Sequence, residues 1–381
     1  MDGEGKGSIA AKYGLSRDNF ILDPIEDFGC FARDDIAVQD IAEGLDIDLV
    51  TGLAPKRLVW GPYGGGKTHM LMRTMDELSN LTEIERVRIE CPDLSRRSRF
   101  HDLYREGIMR GLGEAFVIGL MEEVVRNVGF KRPEELRTEL TRWFGDEEVG
   151  KAAEQLYNPT FDRLKLWRWI SGVGMSRADL DLLGQTQDLT QAEAARLADL
   201  VVMLGSLLKR LRGRTLVLIL DEMERLNIIG SEVITTFISG FSHLVDPNQR
   251  QVSVLIGASA ALQTEMVEIF SGTSPVMSRL GEDVKIEISA LHDQDVGQFV
   301  EKVLDFLRKE DFDVSAALRS AKKATEETLD AKFYPFTNEA VDAMKAKLGA
   351  LTPRAITMQL TRALGRAHRR QLDVITTECV A

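Results

Sequence analysis

"RLVWGPYGGGKTHML", residues 57–71, joins an apolar run to a burst of glycines, then to Lys67 and Thr68 at the head of a helix-like stretch. Three readings of it are open: a site that turns over a nucleoside triphosphate, a site that only binds one, or a flexible turn that has the pattern by accident. "GPYGGGKT" fits G-x-x-x-x-G-K-[ST] at Gly61, Gly66, Lys67 and Thr68. Backbone N–H groups must converge on phosphate oxygens, so side chains are absent where such a loop wraps closely; Gly64, Gly65 and Gly66 meet that need. The helix that follows points its positive end at the phosphates. Lys67 would reach the β- and γ-phosphates, and the Thr68 hydroxyl would ligate Mg²⁺. With His69, these residues make up the expected nucleotide contacts.

A second stretch narrows the choice. In "TLVLILDEMERL", residues 215–226, an apolar run ends in Asp221 and Glu222, as in a buried strand that delivers two carboxylates to its C-terminal tip. Ligands of open parallel sheets bind at that edge. Asp221 would hold the water shell of Mg²⁺, and Glu222 would orient and polarise the attacking water. Accident is thereby set aside, and turnover is favoured over binding alone.

Five β-rich runs stand out, at 56–60, 86–91, 215–221, 252–259 and 284–289. The third and fourth are nearly continuous in apolar residues, the pattern of strands buried on both faces of a parallel sheet. Strands alternating with helical patterns predict an α/β fold. Asp221 lies 221 − 67 = 154 residues beyond Lys67 with only one more strand between them. Residues 100–213 are therefore expected to hold a long helical insertion, with Trp167 and Trp169 packed in its core. Residues 291–381 read as a separate helical domain, in which Thr337 and Thr352 are N-caps and Pro353 opens the last long helix. The expected layout is a mobile arm over 1–19, an α/β domain over 20–290 and a helical lid over 291–381.

The 381 residues carry a net charge of −12, which repels nucleic acid and anionic membranes overall. Contact with DNA would need a local basic patch. Cys30, Cys91 and Cys379 are too scattered for a zinc site or a disulfide framework, so a reducing cytoplasm fits. The N-terminus has no signal-peptide core, and no run approaches the roughly 18 apolar residues that span a bilayer. No membrane association is expected.

The two nucleotide motifs, in this order, resemble those of the AAA+ ATPases. The adjacent Asp221–Glu222 favours the class with an additional strand beside the phosphate-loop strand. The resemblance implies a five-stranded parallel sheet, ATP and Mg²⁺ as cofactors, and assembly of identical copies into a ring or helical filament. It implies Ser259, at the end of the fourth strand, as a polar sensor. Arg279, in "SPVMSRLGEDVKIEI", falls where the family keeps an arginine that acts in trans on the neighbouring subunit's ATP. Arg354, in "LTPRAI", falls where the lid carries a second sensor. Within AAA+, the lid is similar to that of the origin-recognition-like and STAND-related clade, and the insertion resembles that of ATPases from bacterial BREX-type phage-defence loci. The long insertion is not a general AAA+ feature, which puts it outside what the resemblance implies.

Two basic clusters are candidates for sequence-independent DNA contact: Arg96, Arg97 and Arg99 after the second strand, and Arg362, Arg366 and Arg369 on the last lid helix. A surface repeated in every subunit would add weak contacts together. The sequence reading is thus an ATP-hydrolysing switch or motor in a DNA-linked process such as replication, transposition or anti-phage defence. The alternative is a regulatory or scaffold ATPase whose shape change controls protein partners through the insertion. A small-molecule kinase fits less well, because the acidic strand tip and the helical domain suit hydrolysis.

Overall fold

The structure, a computed structural model, describes residues 9–27, 29–30, 35–81, 83–129, 132–246, 248–262, 264–265 and 285–381. The chain divides into two compact units, one of residues 42–60 and 77–287, the other of residues 1–41, 61–76 and 288–381. Each is taken by itself.

The first unit carries a five-stranded parallel sheet of β1 (Lys56–Gly61), β2 (Ile84–Glu90), β3 (Thr215–Asp221), β4 (Val252–Ser259) and β5 (Lys285–Glu287). The order is β2-β3-β4-β1-β5, so β4 is the additional strand between the phosphate-loop strand and the acidic one. All seven residues of β3 are buried, as are all but Ser259 of β4. Continuous apolar runs are what a strand covered on both faces requires. At the edge, β2 buries Val87 and Ile89 and exposes more of its charged residues, with Arg88 paired in register to Ile219.

Between β2 and β3 the chain is largely helical. The first segment there, Phe100–Leu112, includes a π-helical stretch over Leu103–Met109 and lies directly on β2. A Cβ at Gly107 would come within 3.0 Å of Ile89 Cγ2, and one at Gly111 within 3.1 Å of Val87 Cγ1. The last helix, Ala194–Arg212, lies as closely on the start of β4, where a Cβ at Gly205 would sit 2.5 Å from the Gln251 carbonyl oxygen. Both are layer helices of the sheet, and the insertion proper runs between them. Its residues share one continuous hydrophobic core with the sheet, so it is not a separate module. Trp169 is fully buried in that core and Trp167 packs on it half-buried.

In the second unit, helix Val296–Leu307 buries Val296, Phe299, Val300, Val303, Leu304 and Leu307 along one face. Helix Pro353–Arg369 buries Ile356, Leu360, Ala363 and Ala367 against the same core. Thr337 and Thr352 are N-caps, accepting from the amides of Ala340 and Ala355. The expected mobile arm is corrected from Ile9 onward. Ala10, Tyr13, Leu15 and Phe20 are buried in the helical core, and the Tyr13 hydroxyl donates to the Leu372 carbonyl at 2.8 Å. "IAAKYGL" holds too few apolar residues to show a period, yet enough to dock on helices from the far end of the sequence.

One buried charge sits at the start of the sheet. Lys56 Nζ donates to the carbonyl oxygens of Ala54, Gln249 and Val252 at 2.6, 2.9 and 3.0 Å. Burial pulls its pKa down from 10.5 to about 8, with Asp246 opposing. Between those two pH values the unfolded chain binds more protons at this site than the folded chain does. The Lys56 contribution to stability therefore rises with pH across that window, by at most about 1.4 kcal/mol per pH unit, and is flat below it. Urea titrations of wild type and Lys56→Met should differ by a constant amount from pH 6 to 7.5 and by a changing amount above pH 8. A constant difference throughout would show that the ammonium is not desolvated.

Candidate functional site: a phosphate loop and an acidic strand tip

The phosphate loop leaves β1 through Gly61 and enters helix Lys67–Leu81. Gly61, Gly64 and Gly66 have φ of 156°, 74° and 93°, a range that side chains disfavour. The Gly65 amide donates to the Pro62 carbonyl at 3.0 Å and closes the turn. Lys67 is buried, and its Nζ donates to the carbonyl oxygens of Gly61 and Pro62 at 3.1 and 2.9 Å. Its ammonium is thus held inside the curl of the loop. Thr68 follows in the first helical turn. His69 Nε2 lies 3.0 Å from the Asp27 carbonyl oxygen. Asp27 in turn accepts from Arg17 Nη2 at 2.8 Å and from the Asp23 amide at 2.7 Å.

The same unit brings Arg354 to the loop from almost 300 residues away. Its amide donates to the Gly64 carbonyl at 3.3 Å. A Cβ on Gly64 would sit 2.8 Å from Arg354 Cβ, so Gly64 is required by the helical domain as well as by its own φ. The guanidinium rests over the Tyr63 ring, 4.9 Å from its centroid, and Nη1 donates to the Tyr63 hydroxyl at 2.7 Å. A Gly64→Ala chain should melt lower than wild type, measured by scanning calorimetry. The close approach should make the combined strain cost about 1–3 kcal/mol.

In the other unit, β3 ends as expected in Asp221 and Glu222. Asp221 is almost fully buried, its Oδ2 accepting from Arg88 Nη2 and its Oδ1 from the Glu222 amide, each at 3.0 Å. Glu222 adopts φ 58°, ψ 35°, the left-handed region that is uncommon without glycine. Burial raises its pKa, helped by Glu90, Asp221 and Glu224 and opposed by Arg225. Arg225 makes an ion pair with Glu222, reaches Glu90 at 3.2 Å and Asp93 at 3.4 Å, and donates to the Cys91 carbonyl. Ser259 ends β4, and its amide donates to Glu224 Oε2 at 2.9 Å. The turn after β3 is therefore tied to β2 through Arg225 and to β4 through Glu224.

Sequence reasoning missed Tyr63, Arg88, Glu224 and Arg225. Tyr63 occupies an unconstrained position of the loop motif. Arg88 looks like any charged residue of an edge strand until the register with β3 is known. Only Arg225 left a signal, its i+3 spacing from Glu222.

The remaining candidates fall as follows. Arg279 lies outside the described residues. Arg96 and Arg97 are exposed after β2, while Arg99 is exposed but donates to Gln191 Oε1 at 3.0 Å. Arg362 and Arg369 are exposed on helix Pro353–Arg369. Arg366, expected to share their stripe, is instead half-buried and donates to the carbonyls of Cys379 and Val380 at 2.9 and 3.2 Å, so the basic stripe is interrupted. No described helix is long and apolar enough to cross a membrane.

No protein-family model matches the chain, and no curated protein matches it. Solved structures do. The Aeropyrum pernix ORC1 protein in complex with DNA is similar at 14% identity over 99% of this chain and 69% of that one, with a TM-score of 0.48. A chain of Drosophila ORC bound to DNA is similar at 11% identity over 100% of this chain and 66% of that one, TM-score 0.45. Cdc6p from Pyrobaculum aerophilum is similar at 14% identity, 90% and 64% coverage and a TM-score of 0.44. The chain spans about two thirds of the length of these proteins.

Proposed function

We propose that this chain is an ATP-hydrolysing switch or motor of AAA+ type that assembles with its own copies and acts in a DNA-linked process. The observation that carries the reading is the sheet itself. The phosphate-loop strand β1 and the acidic strand β3 run parallel with β4 between them, so their C-terminal ends share the edge where such sheets take ligands. On this reading Lys67 exchanges its carbonyl partners for phosphate oxygens, and the loop amides and the helix N-terminus take the rest of the charge. The oxygen donors Thr68 and Asp221 suit Mg²⁺, a hard cation that would offset charge on the phosphates. Arg88 already neutralises part of the Asp221 charge, which suits contact through a bound water. Glu222 would polarise the attacking water, Ser259 would sense its position, and Arg279 would complete the site of the next subunit in a ring or filament.

DNA would be held through phosphates by Arg96, Arg97 and Arg99, with Arg362 and Arg369 as a second contact, against a net charge of −12. The anti-phage-defence setting belongs to the same proposal, as does a role for the insertion in binding partner proteins.

Phosphate-release assays test the reading. Lys67→Ala should remove nucleotide binding, whereas Glu222→Gln should keep it and lower turnover by roughly 100-fold or more. Specific activity should rise with protein concentration, and Arg279→Ala should abolish turnover with binding intact. Activity independent of concentration and unharmed by Arg279→Ala would refute action in trans. Arg96→Ala with Arg97→Ala should weaken duplex binding and lower its salt slope by about 2.

A further inference from the structure

The loop motif places no demand on the side chain at position 63, yet a large aromatic stands there with 66% of its surface exposed. Exposure of that size forgoes most of the apolar burial a tyrosine can offer. What the ring does in the structure is carry Arg354. The stacking distance of 4.9 Å and the 2.7 Å bond from Nη1 to the hydroxyl fix the head of a long, flexible side chain. The root of the same side chain is fixed by the 3.3 Å bond from the Arg354 amide to the Gly64 carbonyl. The Thr352 cap and Pro353 hold the first turn of its helix. Arg354 is thus anchored to the phosphate loop at both ends.

We propose that Tyr63 is a positioning residue that pre-sets Arg354 to read the terminal phosphate of a nucleoside triphosphate, an inference that rests on the phosphate-loop function given above. A guanidinium presents five N–H donors in a planar fork. The Tyr63 hydroxyl takes a bond from one nitrogen, and among the described residues no carboxylate pairs with the group. Stacking leaves the edge of the fork open to phosphate oxygens, which it matches in geometry and charge. A free arginine would lose its rotamer freedom on meeting the phosphate; one already laid on a ring has lost it beforehand. The gain falls on the triphosphate alone, because the diphosphate lacks the group that Arg354 would meet.

Calorimetry with Mg²⁺ and two probes, a non-hydrolysable ATP analogue and ADP, decides the matter on the full chain. Tyr63→Ala should weaken the analogue by roughly three- to tenfold and leave ADP unchanged, and Tyr63→Phe, which keeps the ring, should recover part of the loss. The double variant Tyr63→Ala/Arg354→Ala should bind the analogue no more weakly than Arg354→Ala does, since Tyr63 acts only through Arg354. Equal weakening of both nucleotides by Tyr63→Ala, or additive losses in the double variant, would overturn the role of Tyr63. An Arg354→Ala chain that still prefers the analogue as the wild type does would instead remove Arg354 from the phosphate. A wild type that binds neither probe would remove the phosphate-loop reading itself.

Discussion

The bare backbone at Gly64 is the constraint on which the helical unit's architecture turns. On one side a phosphate loop needs amides unobstructed by side chains. On the other, the first turn of helix Pro353–Arg369 lies so close that an added Cβ would meet Arg354 Cβ at 2.8 Å and Thr352 Oγ1 at 3.5 Å. Glycine also supplies the φ of 74° that turns the chain there. Because one atom too many would separate them, residues 61–68 and 352–354 form a single structure despite their distance in sequence. The N-terminal residues reinforce it from behind, with Tyr13 and Phe20 buried in the same helical core and Asp27 meeting His69.

At the tip of β3 the governing physics is charge in a confined space. Glu90, Asp93, Asp221, Glu222 and Glu224 gather within a few residues of two strand ends, and burial raises the pKa of Glu222. Two arginines prevent the accumulation. Arg88 offsets Asp221, and Arg225 is shared among Glu222, Glu90 and Asp93. The left-handed backbone at Glu222 is tolerated in this setting because the Glu222 amide is bonded to the Asp221 carboxylate and the turn is tied to both neighbouring strands.

Most of the fold was legible in the sequence because its signals are local. Continuous apolar runs gave β3 and β4 their bounds, since a strand covered on both faces has no polar alternation to blur its ends. The caps at Thr337 and Thr352 were readable for the same reason, a cap being a bond across three residues. What was not legible depends on tertiary approach. The packed N-terminal segment, Arg366 turned to the carbonyls of Cys379 and Val380, and the Tyr63–Arg354 stack all join residues whose nearness no spacing rule encodes. The seating of the helices that flank the insertion is hidden differently. Helices Phe100–Leu112 and Ala194–Arg212 have ordinary helical periodicity, and only the glycines at 107, 111 and 205 mark them as resting on strands.

Those glycines also decide how the insertion can communicate. A partner bound to a flexibly tethered module would leave the sheet undisturbed. Here the insertion enters and leaves through helices seated on β2 and β4 at backbone contact distance, and its side chains complete the core that buries β3. Close-packed interiors yield by discrete shifts, so a displacement of either helix must be taken up by the strands beneath it. The C-terminal ends of β2 and β4 carry Glu90 and Ser259, which meet the turn after β3 through Arg225 and Glu224, and Arg88 of β2 pairs with Asp221 at the end of β3. The insertion is therefore joined to the sheet by close-packed helices at both of its ends.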